Sequence, residues 1–292
     1  IDIIKQDSFE DTMIIGELSL DGSVKSVNGV LPMVHTGKEL GIKKYIVPYD
    51  NVEEAGLVSN VDIVGIKNLS ELIDHLNGVK QIKPINININ NLLKNNTIIN
   101  EFDFLDVKGQ ENVKRALEIA AAGMHNIVMV GPPGSGKTMM AKRIPSILPN
   151  ISFEESIEIT KIYSVSGILQ NKNSLVTKRP FRAPHHTISK SAMVGGGRLP
   201  KPGEVSLSHN GVLFLDELPE FSRSVLEELR QPLEDRQVTI SRVNGTMTFP
   251  ANLMLVAAMN PCPCGFYGYS DKCTCSQNAI SKYLGKISGP LL

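Results

Sequence analysis

The sequence predicts an α/β chain in which a parallel sheet with flanking helices follows a smaller α/β domain. Two observations carry this. Four apolar residues, Ile127 to Val130, run through Gly131-Pro132-Pro133-Gly134-Ser135-Gly136-Lys137-Thr138 into a helical pattern, Met139 to Ile144. Farther on, Gly211-Val-Leu-Phe-Leu-Asp216-Glu217 is a second buried-strand pattern that ends in two acids.

The first stretch has the spacing G-x-x-x-x-G-K-T between a strand and a helix. Its glycines let successive backbone N–H groups turn inward around phosphate oxygens, and the helix N-terminus adds partial positive charge. Lys137 would reach the β/γ-phosphates of ATP, and the Thr138 hydroxyl would ligate Mg²⁺. A buried parallel strand delivers side chains at its C-terminal end to the same edge of the sheet. Asp216 would therefore hold Mg²⁺ through water, and Glu217 would polarise the attacking water.

The chain has 292 residues, enough for two domains with separate cores. Its net charge of zero conceals an asymmetry. Residues 1–78 carry 13 acidic and 6 basic side chains, whereas residues 159–203 carry 8 basic ones and no acid, a segregation that suits one surface facing a polyanion. No apolar run approaches membrane-spanning length and no signal peptide is evident, which predicts a cytoplasmic protein without membrane contact. The first residue is Ile rather than Met, which reads as a piece of a longer protein.

In order, residues 12–20 read as a strand, Asp21-Gly22 as a turn and 23–27 as a second strand, together a hairpin. Val30 to Leu40 is helical by periodicity and stops at Gly41. Lys44 to Pro48 is a strand, Glu53 to Leu57 a short helix, Val61 to Ile66 a strand, and Ser70 to Leu76 a helix capped by Ser70. Residues 1–78 thus form a small α/β domain without a catalytic constellation. The Asn-rich stretch 79–101 reads as a linker, with an Ile/Asn alternation at 85–90 that permits a docked strand. The second domain, 102–292, opens with a turn and a helix ending at Gly123.

After the phosphate loop, Ser152 and Glu155 make a capping-box pattern. The acid-free stretch that follows is loop-rich, read either as a solvated basic loop or as a surface that neutralises nucleic-acid phosphates. A metal on His185-His186 is disfavoured, because adjacent rings diverge and no second ligand set is nearby. Ser222 caps a helix running to about Leu233, and Val238 to Phe249 alternates around Asn244-Gly245 as a hairpin. Leu253 to Ala258 is a buried strand expected between the phosphate-loop strand and the Asp216 strand. Asn260 at its tip would orient water or sense the γ-phosphate. All four cysteines fall in Cys262-Pro-Cys264 and Cys273-Thr-Cys275. Two Cys-x-Cys pairs can supply four thiolates to Zn²⁺, with free thiols or a cross-pair disulfide as the alternatives.

Two resemblances add to this reading. Gly16-Glu-Leu-Ser-Leu-Asp-Gly-Ser-Val24, Val27-Asn-Gly-Val30 and Gly41-Ile-Lys-Lys-Tyr-Ile-Val-Pro48 resemble the C-terminal half of the Lon-type protease domain. The position of that family's Lys is Leu31 and the part that would hold its Ser is absent, so the resemblance implies a non-catalytic fold. The stretch 103–292 resembles the Mg-chelatase-like AAA+ family, ComM/YifB type. The marks are Gly131-Pro-Pro-Gly-Ser-Gly-Lys-Thr-Met-Met-Ala141, Arg182-Ala-Pro-His-His186, Gly211-Val-Leu-Phe-Leu-Asp-Glu-Leu-Pro-Glu-Phe221 and Ala258-Met-Asn-Pro-Cys-Pro-Cys-Gly265. That resemblance implies an ATPase ring, commonly hexameric, in which Gln110 lies near the adenine pocket. It also implies that the basic insert and the 238–249 hairpin face a pore and that DNA is the substrate. A metal-chelatase motor and a Lon-like ATP-dependent protease are the other function classes. The chain stops at Leu292, where the family continues into an arginine finger and a helical lid, so the 292-residue chain is expected to bind ATP–Mg²⁺ but hydrolyse it weakly.

Overall fold

The computed structural model describes residues 11–85, 102–169, 175–198, 200–242, 245–268 and 271–287. The chain divides into two compact units, one of Ile1–Thr97 with Phe153–Thr177, the other of Ile98–Ser152 with Lys178–Leu292.

The first unit is built on a three-stranded parallel sheet with Lys44–Pro48 in the centre, flanked by Thr12–Ile14 and Asp62–Ile66. The two longer strands bury four of their five residues each, as strands covered on both faces do. Helix Val30–Glu39 presents Val30, Leu31 and Val34 to this core at the i, i+1, i+4 positions of one face. No side chain of its own caps that helix. Glu54 does so from a distance, accepting from the Leu31 N–H at 2.8 Å and from Asn51 Nδ2 at 3.1 Å. Helix Phe153–Ser166, which follows the phosphate loop in sequence, belongs to this unit: Ser164 Oγ donates to the same Glu54 carboxylate, and Phe153 and Ile157 pack on the core.

Two local expectations change here. The expected strand 12–20 is split: Thr12–Ile14 joins the parallel sheet, while only Glu17–Leu18 pairs with Val24–Lys25 as the hairpin. The Ile15 N–H is drawn to the Ile46 carbonyl, and the Val24 N–H leaves the hairpin for Lys67 O. Helix Leu69–Leu76 is capped by Asn68 rather than Ser70; the Asn68 side chain accepts from the Glu71 N–H at 2.9 Å, the usual reach to the third helical residue. The Ile/Asn strand expected at 85–90 lies outside the described residues save Ile85, whose N–H donates to Ile63 O.

The second unit is an α/β core built on a parallel sheet with flanking helices. Its parallel sheet runs Ile127–Val130, Met254–Met259, Val212–Leu215, Phe181–Arg182. The Met254–Met259 strand thus lies between the phosphate-loop strand and the acidic strand, as the Asn260 at its tip leads one to expect. Leu117 and Ala121 of helix Glu111–Gly123, with Met140 and Ala141 of helix Lys137–Ala141, close a core around Phe214 and Val256. Strands Gln237–Arg242 and Gly245–Pro250 form the expected hairpin.

The helix expected from Ser222 to Leu233 is two helices, Arg223–Glu228 and Arg230–Asp235. Pro232 lacks an N–H and its ring crowds the carbonyl four residues back, which breaks a continuous run. Ser222 caps nothing with its side chain, which pairs instead with Ser224 Oγ. Among the described residues no helix is long and apolar enough to cross a membrane.

Candidate functional site

The strand order brings three sequence-distant segments to one edge of the second unit's sheet, where a cleft of about 400 Å³ opens. The phosphate loop leaves strand Ile127–Val130, and Gly136, at φ 86°, caps the helix that begins at Lys137. A side chain there would be strained by roughly 1–2 kcal/mol in that left-handed conformation. Lys137 Nζ lies over the loop and donates to Gly131 O at 2.7 Å, Pro132 O at 3.0 Å and Asn260 Oδ1 at 3.3 Å. Burial pushes the Lys137 ammonium below its ordinary pKa, and the nearby Asp216 carboxylate opposes that shift.

Asp216 and Glu217 emerge from strand Val212–Leu215, all four of whose residues are buried. Thr138 Oγ1 donates to Asp216 Oδ2 at 2.7 Å, and the Glu217 N–H donates to Asp216 Oδ1 at 3.0 Å. Glu217 has φ 54°, uncommon for a residue with a β-carbon and a strain of about 1–3 kcal/mol of the kind that collects at functional sites. Its side chain is 62% exposed and lines the cleft. Asn260 follows the wholly buried strand Met254–Met259 and meets Lys137.

Pro133, Gly134, Ser135, Gly136, Lys137, Thr138, Asp216, Glu217 and Asn260 therefore share the cleft wall. Gly131 and Pro132 stand behind it and hold Lys137. Gln110 is also outside the wall; its Nε2 donates to the Ser135 carbonyl at 2.9 Å, so it touches the phosphate loop. Sequence reasoning missed His186. Its Nδ1 lies 3.7 Å from Glu217 Oε2 and its ring stands edge-on to Phe221, while His185 turns to Thr187 Oγ1 at 2.9 Å. The signal was the quoted Arg182-Ala-Pro-His-His run, whose strand neighbours the acidic one.

The acid-free stretch loses its uniform character in three dimensions. Arg182 is held bidentately by Glu204, at 2.6 and 2.7 Å, and Lys190 pairs with Glu228 at 2.6 Å. Arg179 donates to the carbonyls of Pro149 and Asn210 at 2.6 and 2.8 Å. Glu204 and Glu228, both outside the stretch, thus neutralise two charges that a count along the chain leaves bare.

The four cysteines converge. Cys262 Sγ lies 3.3 Å from Cys264 Sγ and 3.8 Å from Cys273 Sγ, and Cys264 Sγ lies 3.6 Å from Cys273 Sγ. With Cys275, all four sulfurs fall within 4.8 Å of one another, and none is in a disulfide.

A family model described as magnesium chelatase, subunit ChlI, matches residues 103–292, and one described as subunit ChlI of Mg-chelatase matches residues 2–51. The competence protein ComM of Haemophilus influenzae is 44% identical over 280 residues, 95% of this chain and 54% of that protein. The uncharacterized protein YifB of Escherichia coli is 43% identical over 292 residues, 99% of this chain and 55% of that one. Lon protease 2 of Bacillus subtilis is 38% identical over 79 residues, 26% of this chain and 14% of its own. The chain spans about half the length of the ComM and YifB relatives.

Proposed function

The chain belongs to the magnesium chelatase subunit ChlI family, and from that premise we propose that it is the ATP-binding and ATP-hydrolysing part of a ring-forming AAA+ motor that acts on DNA. The observation that carries the nucleotide reading is the meeting of Thr138 Oγ1 and Asp216 Oδ2, 78 residues apart in sequence, beside Lys137 in one cleft.

In this reading the backbone N–H groups of the phosphate loop cradle the phosphates, and Lys137 leaves its loop carbonyls for the β/γ-phosphate oxygens. Thr138 and Asp216 would hold Mg²⁺, directly and through water; when bound, the ion supplies neutralisation of the developing phosphate charge. Glu217 polarises the attacking water and His186 steadies its carboxylate. Asn260 orients that water or registers the γ-phosphate. The cysteine cluster is the candidate for a second, structural metal, and a cytoplasmic setting suits its free thiols.

DNA follows from the family resemblance of the ComM/YifB type, and a hexameric ring is the assembly that it implies. Hairpin Gln237–Pro250 supports the DNA reading with exposed hydroxyls at Thr239, Ser241, Thr246 and Thr248, groups that bind phosphates without reading bases. The protease alternative is weakened because Leu31, where the Lon-type Lys would stand, is fully buried in an apolar core.

The test is ATP turnover by the complete protein with and without single-stranded or forked DNA. Stimulation that falls steeply with salt is expected, because each neutralised phosphate releases counterions. Turnover indifferent to DNA but stimulated by a partner subunit would favour the chelatase-type motor, and peptide cleavage would restore the protease reading.

A further inference from the structure

We propose that Cys262, Cys264, Cys273 and Cys275 form a tetrahedral zinc site whose loop braces the phosphate loop through a contact between Gly265 and Pro133. The geometry of the thiols favours one shared ion. Zinc at about 2.3 Å from each of four sulfurs sets sulfur–sulfur edges of about 3.8 Å. The three sulfur pairs at 3.3, 3.6 and 3.8 Å approach that length around one face, and Cys275 Sγ lies within 4.8 Å of each, whereas a disulfide would draw one pair to about 2.0 Å. Four thiolates without an oxygen or imidazole ligand select zinc over magnesium or calcium. Cys262 is fully buried, and the other three are partly exposed, which leaves the ion a path of entry.

The loop reaches the nucleotide site at two points. Asn260, two residues before Cys262, accepts from Lys137 Nζ. Gly265, directly after Cys264, has φ 87° and turns back so that its N–H donates to Cys262 O at 3.0 Å. Its backbone lies so close to the phosphate loop that an added β-carbon would stand 2.6 Å from Pro133 Cδ. Fixing Cys262 and Cys264 to one ion therefore fixes the turn that presses on Pro133. A loop of this composition has few other means of holding its shape, because among its described residues 263–268 and 271–276 no helix or strand forms.

Two measurements on the complete protein test this, and neither depends on ATP binding. The first is metal content after purification without chelator, with X-ray absorption at the zinc edge. About one zinc per chain with four sulfur neighbours is expected. A metal-free chain, a disulfide among these cysteines, or zinc with nitrogen and oxygen neighbours would overturn the site. The second is amide hydrogen exchange before and after zinc removal, repeated in Cys275→Ser. Exchange at residues 131–136 should rise about tenfold or more, while strand Lys44–Pro48 stays protected. Unchanged exchange at 131–136 would overturn the brace, and so would equal loosening of Lys44–Pro48, since the effect would then be general unfolding.

Discussion

The Thr138 hydroxyl donates to Asp216 Oδ2 at 2.7 Å, tying the first turn of the phosphate-loop helix to the end of the acidic strand. The two oxygens that would share Mg²⁺ are thus already adjacent. Thr138→Ala and Asp216→Asn should each raise the Mg²⁺ concentration needed for half-maximal ATP binding by about tenfold or more, the scale of a lost charge-assisted contact of about 1.5–3 kcal/mol. A titration of nucleotide affinity against Mg²⁺ checks this, and an unchanged midpoint in Asp216→Asn would remove it from the metal site.

His186 faces Glu217 across 3.7 Å with its ring edge-on to Phe221, and it is outside the set of residues that line the cleft. His186→Ala should therefore lower kcat severalfold and leave ATP affinity near wild type. Steady-state kinetics beside direct binding separates the two. A loss confined to affinity would place His186 on the nucleotide instead.

Arg182 presents one edge of its guanidinium, Nε and Nη2, to the two carboxylate oxygens of Glu204. Arg182→Ala leaves a carboxylate that is 19% exposed without its partner, which should cost about 1–3 kcal/mol of stability. A denaturant midpoint reads the loss, and the double variant with Glu204→Gln should recover part of it. DNA affinity that falls while stability is unchanged would return Arg182 to the role of a phosphate contact.

Leu31 is fully buried among Val30, Tyr45 and Ile63. Leu31→Ala should destabilise the first unit by about 2–5 kcal/mol through the cavity that it leaves. Thermal unfolding followed at Tyr45 would show the shift, and a neutral substitution would contradict the packing described.

The residues that gather in the candidate cleft were legible because their pattern is local. A turn of glycines before Lys137 and Thr138, and a buried strand ending in Asp216-Glu217, are complete in a dozen residues each. Even the central place of the Asn260 strand follows, since an Asn at that tip serves both neighbours only from between them. What escaped depends on partners that periodicity does not encode. Glu204 neutralises Arg182 across 22 residues, and Asn68 outcompetes Ser70 because its carbonyl oxygen is the one aligned with the Glu71 N–H. The capping pattern at Ser152 marks the start of helix Phe153–Ser166, but only the Ser164–Glu54 bond shows that this helix serves the first unit.

The central claim is that Lys137 holds the phosphates while Glu217 acts on water, and a paired comparison of Lys137→Ala and Glu217→Gln in the complete protein tests it most directly. Nucleotide affinity and single-turnover hydrolysis are measured for both. Glu217→Gln should bind Mg–ATP like wild type and hydrolyse it about 10²–10⁴-fold more slowly, whereas Lys137→Ala should lose about 10–100-fold in affinity. Equal loss of binding in both variants, or wild-type hydrolysis by Glu217→Gln, would contradict the account.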